Sequence, residues 1–89
     1  VSQFMVKHEC HFINGTELVR FVETYFFNRE EFARFDSDVG RYVGFTPFGE
    51  KNAQHWNRNP DIMAYKRSAV DRFCRCWYKE VTAFAVERR

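Results

Sequence analysis

The stretch QFMVKHECHFINGTELVRFVETYFF, residues 3–27, decides the fold. Its first half alternates. Phe4, Val6, His8, Cys10 and Phe12 fall on one face of an extended strand; Gln3, Lys7, Glu9 and His11 fall on the other, with Met5 and Ile13 as apolar exceptions. Asn14-Gly15 follows, the strongest short signal for a hairpin. Residues 18–27 alternate again, with Val19, Phe21, Glu23, Tyr25 and Phe27 sharing a face. Two antiparallel strands are therefore expected.

Outward from this pair, NREE turns the chain and residues 31–36 read as a third strand. DSDVG turns it again, and residues 41–46 read as a fourth. The period then changes. Thr46-Pro47 suits a helix start, because proline fits the first helical position. Pro60 must break or kink that helix. Beyond it Ile62, Tyr65 or Lys66, Ala69, Phe73, Cys76 or Trp77, Val81 and Phe84 recur at helical spacing, as one broad stripe. The expected class is α+β, a four-stranded antiparallel sheet with a long kinked helix lying across one face.

Eleven Phe, four Tyr and two Trp crowd into 89 residues, enough for one domain. A chain this size buries only about 60–70% of its surface, so some rings are expected to stay exposed for a partner. The net charge is +2, with acids and bases interleaved, which excludes a basic stripe for nucleic acid. There is no signal-peptide pattern and no apolar run of about 18 residues. The chain is expected to be a fragment of a longer secreted or membrane-anchored protein.

The candidate chemistry is sparse. HECH, residues 8–11, with Cys74 and Cys76 suggests a metal site, but His11 points away from His8 on a strand. Cys74 and Cys76 lie about 200° apart on a helix, so they neither share an ion nor bridge each other. No signature supports a cysteine nucleophile or another enzyme, and no cofactor is implied. DSDVG lacks the later ligands of a calcium loop and reads as a polar turn. His8 and Glu23 are polar residues on an apolar face. They are either edge positions in water or the polar floor of a binding groove. A disulfide from Cys10 to Cys74 or to Cys76 fits the periodicity equally well. Asn14-Gly15-Thr16 is a glycosylation sequon.

ECHFINGTELVRFVETYFFNREEFARFDSDVGRYV, residues 9–43, Trp56-Asn57, AVDRFC at 69–74 and FAVERR at 84–89 together resemble the β1 domain of MHC class II β chains. The resemblance covers residues 1–89 without a gap. VGFTPFGEKNAQHWN, residues 43–57, is similar to members from non-mammalian vertebrates. The resemblance implies a Cys10–Cys74 disulfide, leaving Cys76 as the odd thiol. It implies half of a peptide-binding platform, completed by an α chain that pairs with the first strand. It further implies presentation to T-cell receptors, contact with CD4 through the full complex, the invariant chain during assembly, and a place in plasma and endosomal or lysosomal membranes.

Carried over by position, Trp77, Glu80, Val81 and Phe84 would border an end pocket. His8, Phe21, Glu23, Tyr65, Lys66, Ala69 and Phe73 would form a central one. Val6, His8 and Tyr25 would floor the next, and Glu23, Tyr42, Trp56, Ile62 and Lys66 would line the one after. Phe4, Phe32, Asn52 and Trp56 would shape the far end.

The chain departs from the family's pattern at Cys76-Trp77, where presenting chains usually carry His-Asn. Tryptophan has one donor and no acceptor, so the paired bond to a peptide main chain is lost. Asn52 stands where many members carry an Asp that pairs with an α-chain Arg, and YKEV at 78–81 replaces a stretch that commonly holds Gly. These departures leave an alternative, a non-presenting class II-like chain acting as an exchange helper or with a closed groove.

Overall fold

The computed structural model describes residues 3–13 and 18–78. Strands β1 (Phe4–Ile13), β2 (Leu18–Phe27), β3 (Glu30–Asp36) and β4 (Arg41–Gly44) form one antiparallel sheet in sequence order. Helices α1 (Pro47–Asn57) and α2 (Pro60–Arg67) follow, then a π-helical turn, Val70–Arg75. The α+β layout of sheet and broken helix is as expected from the periodicity. The Asn14-Gly15 hairpin tip and its sequon lie outside the described residues.

β1 and β2 pair from Phe4↔Phe27 to Ile13↔Leu18. This register places His8 opposite Glu23 and Val6 opposite Tyr25. β2 turns into β3 through Asn28 and Arg29, whose φ angles of 50° and 71° give the primed turn that matches strand twist. The β2–β3 register shifts between Tyr25 and Phe26, leaving Phe32 as an extra residue. At the next turn Asp36 accepts from Arg20 Nε at 3.0 Å and from the Asp38 amide at 3.0 Å. The Arg20 bond and charge hold the Asp36 carboxyl below its usual range, against its burial. The acids of DSDVG thus serve a turn.

β4 stops at Gly44, two residues short of the expected end. Thr46 is instead the N-cap of α1, accepting from the Gly49 amide at 2.9 Å. Asn59 caps α2 in the same way, through the amides of Asp61 and Ile62. Asn57 ties α1 to β4, exchanging bonds of 2.9 and 3.0 Å with the Tyr42 main chain.

Two glycines permit this contact. A Cβ on Gly44 would come within 2.2 Å of the Glu50 nitrogen, and one on Gly49 within 1.6 Å of the Phe32 carbonyl. Gly49→Ala is therefore expected to destabilise the protein by about 1–3 kcal/mol or more, since rigid backbone must move. Gly40, at φ 81° with open space around it, is the control. Its Ala variant carries only backbone strain, about 1 kcal/mol. Denaturant unfolding of both variants under oxidising conditions checks the order.

The wall after Pro60 differs from a single regular stripe. α2 ends at Ser68, whose hydroxyl donates back to the Tyr65 carbonyl at 2.7 Å. The π-turn follows, and the Cys76 amide reaches the Asp71 carbonyl five residues back. On a straight α-helix Ala69 and Cys74 would point about 140° apart. Here both are buried against the sheet. Met63 is buried too, and Ile62 and Val70 pack on the same core as Phe21, Phe35 and Tyr42. The expected stripe omitted Met63, Val70 and Cys74.

Cys10 and Cys74 form the disulfide, with Cα atoms 5.7 Å apart. Cys76 is free and exposed. No helix among the described residues is long and apolar enough to cross a membrane.

Candidate functional site

The face of the sheet beneath the helices is aromatic from end to end, with one charged cluster at its centre. Glu23 lies mid-β2, where alternation points it at α2, and its side chain is only 2% exposed. Three elements supply its partners. His8 Nε2 of β1 is 2.7 Å from Glu23 Oε1. Lys66 Nζ of α2 is 2.9 Å from both carboxylate oxygens. The Tyr25 hydroxyl donates to Oε2 and lies 3.4 Å from the Tyr42 hydroxyl.

Burial pushes the Glu23 carboxyl up. The bonds from Tyr25, Lys66 and His8 and the Lys66 charge outweigh it and hold the group below its ordinary value. Burial, together with the carboxylate, pushes the Tyr25 phenol far up. Burial pushes Tyr42 to about 12. Glu23 is thus an anion and both tyrosines are neutral donors across the physiological range. Glu23 is therefore not an edge position in water, while His8, its partner on β1, remains partly exposed.

A cavity of about 190 Å³ opens above this cluster. It gathers all seven residues expected for the central pocket: His8, Phe21, Glu23, Tyr65, Lys66, Ala69 and Phe73. The rings of His8, Phe21 and Phe73 stand 5.8–5.9 Å apart in a triangle. Arg72 also lines it, and sequence reasoning missed it. Its spacing of seven from Tyr65 was the available signal.

A larger cavity, about 500 Å³, lies toward α1. Tyr42, Trp56, Ile62 and Lys66 line it as expected, joined by Tyr25, Asp61 and Tyr65. Glu23 does not, because its carboxylate is turned to Lys66 and His8 in the central cavity. Val6, His8 and Tyr25 do not share a separate cavity among the described residues. His8 lines the central one and Tyr25 the one beside Trp56.

At the far end Phe4 sits 6.1 Å from Phe32, which meets Phe48 at 5.1 Å. Phe48 was not among the expected residues. Asn52 donates its amide to the Phe48 carbonyl at 2.8 Å, leaving its oxygen as an acceptor. At the opposite end Trp77 leans over Phe12 with ring centres 6.3 Å apart and is 54% exposed. Glu80, Val81 and Phe84 lie outside the described residues. The metal reading of HECH with Cys74 and Cys76 fails, because Cys74 is spent in the disulfide with Cys10.

Comparison with known proteins gives a consistent result. A family described as "Class II histocompatibility antigen, beta domain" matches residues 2–82. The human HLA class II DRB1 beta chain is 52% identical over 83 residues, covering 93% of this chain and 31% of the relative. The dog DLA class II DR-1 beta chain is 49% identical over 85 residues, 96% of this chain and 32% of the relative. The mouse H-2 class II E-D beta chain is 49% identical over 84 residues, 94% and 32% respectively. The chain thus spans about a third of the length of these curated relatives.

Proposed function

The chain belongs to the class II histocompatibility antigen β-domain family, and from that membership we propose that it forms, with an α chain, a cleft that binds extended peptides and presents them to T-cell receptors. The row of cavities between the sheet and the broken helical wall carries this reading. An extended ligand needs a long trough with intermittent side-chain pockets. The domain's long axis is 50 Å. At about 3.3 Å per residue that length takes roughly 13–15 residues.

The lining residues named above, from Phe4 and Phe32 at one end to Trp77 at the other, are proposed as peptide contacts. β1 is one of the two edge strands, paired on one side only among the described residues. Its free edge, with Phe4, Met5 and Ile13 exposed, suits an α-chain strand. Cys76-Trp77 is proposed to change the chemistry of the end pocket; the two cavities described above are lined by other residues. CD4, the invariant chain, glycosylation at Asn14 and residence in plasma and endosomal membranes are proposed with the whole protein's role.

Co-expression with class II α chains, followed by acid elution and mass spectrometry, tests the proposal. A nested ladder of peptides of about 13 residues or more is the expected result. A stable heterodimer that yields no peptide overturns it and favours the non-presenting alternative.

A further inference from the structure

The central cavity holds two cations, and they differ in what they have left to give. Lys66 Nζ is within 2.9 Å of both oxygens of Glu23 and is only 21% exposed. Its charge is neutralised in place. Arg72 is otherwise engaged. Its guanidinium lies 3.9 Å from the centre of the Tyr65 ring. Its Nη2 donates to the Tyr65 carbonyl at 3.0 Å and its Nε to the Ser68 hydroxyl at 3.1 Å.

These partners are neutral. They orient the group without cancelling its charge, and a stacked guanidinium keeps its planar fork. Among the described residues no carboxylate pairs with Arg72. Glu23 is taken by Lys66 and His8, and Asp71 pairs with Arg75. Both N–H groups on Nη1 make no bond among the described residues. A carboxylate is the ligand such a fork fits best.

We propose that Arg72 sets the preference of the central cavity, selecting peptides with an acidic side chain over this part of the wall. The proposal rests on the peptide-binding reading above. It assigns the selection to the oriented, uncancelled Arg72 rather than to the Glu23–Lys66 pair, whose charges balance.

The test uses the heterodimer formed with an α chain. Eluted peptides are expected to be enriched in Asp or Glu at one position. A peptide from that set and its Asp→Asn form are then compared on the unaltered heterodimer. The Asp form is expected to bind roughly tenfold tighter or more, the ordinary worth of a charge-assisted bond. Arg72→Gln should bring the two peptides close to equal affinity, and Arg72→Glu should enrich the eluate in Lys or Arg at that position.

Eluted peptides without an acidic position, or an Asp preference that survives Arg72→Gln, overturn the proposal while leaving presentation intact. The Tyr65–Arg72 pair would then belong to the outward surface of the wall. An empty heterodimer overturns both. The Asp/Asn comparison on the unaltered protein needs no variant, so a misfolded variant does not shield the idea.

Discussion

Glu23→Leu is expected to destabilise the protein by about 3 kcal/mol, at the lower end of the range for breaking a buried charge pair. The carboxylate sits at the meeting point of β1, β2 and α2, bound by His8, Tyr25 and Lys66. Removing it leaves the Tyr25 hydroxyl without its acceptor and Lys66 without its counter-charge. Lys66 is partly exposed and can turn its ammonium to water, which keeps the cost from the top of the range. Glu23→Gln retains an acceptor for Tyr25 and should cost less, about 1–2 kcal/mol. Glu23→Leu with Lys66→Met removes both charges and should be milder than Glu23→Leu alone.

Chemical denaturation of the oxidised protein measures all three. A Glu23→Leu variant within about 0.5 kcal/mol of the parent would mean that the pair is not an interior charge pair. The pH dependence has a fixed sign. The Glu23 carboxyl titrates below its ordinary value of 4.5 in the folded state. Its contribution is complete above that ordinary value and is lost only as pH falls through the lower, folded one. Mild acid should therefore leave the floor of the cleft intact.

Replacing Cys10 and Cys74 together by Ser is expected to remove about 4 kcal/mol, on the chain-entropy account of a loop this long. The two cysteines are 64 residues apart, so the bridge closes most of the domain. Against a total stability of about 5–15 kcal/mol, that loss leaves little cooperative structure at body temperature. Cys76→Ser is the matched control. The Cys76 thiol is free and exposed, so its loss should be near neutral, within about 0.5 kcal/mol. Urea unfolding of the two variants checks the contrast. Equal midpoints would show that the bridge does not constrain the chain.

Much of this architecture was legible because each strand obeys its period. The face carrying Phe4, Val6, His8, Cys10 and Phe12 is the face that meets the helices, Thr46-Pro47 marks a real helix start, and Pro60, read as a break or kink, does break the helix, with Asn59 capping the next one. The disulfide partner was not legible from periodicity. It came with the family resemblance, because about half a turn of helix rotation decides between Cys74 and Cys76.

Three features escaped for one physical reason. The β2–β3 bulge, the π-turn and the burial of Met63 depend on which elements touch, and a period computed along one chain segment carries no such information. The π-turn had a further effect. It carried Cys74 inward beside Ala69, so an ideal helical wheel missed Val70 and Cys74 while still placing Phe73 at the cavity. Arg72 was overlooked because a long basic side chain on a helix ordinarily reads as a solvated face.

The near-contact of Gly44 and Gly49 with neighbouring backbone has a mechanical result for the cleft. The segment before Pro60 packs backbone to backbone on β3 and β4. The segment after Pro60 is held by the Cys10–Cys74 bridge, the Lys66–Glu23 pair and the packing of Met63, Ala69 and Val70 on the core. The wall is thus anchored by different means on the two sides of Asn59-Pro60, by backbone contact before it and by side chains and sulfur after it.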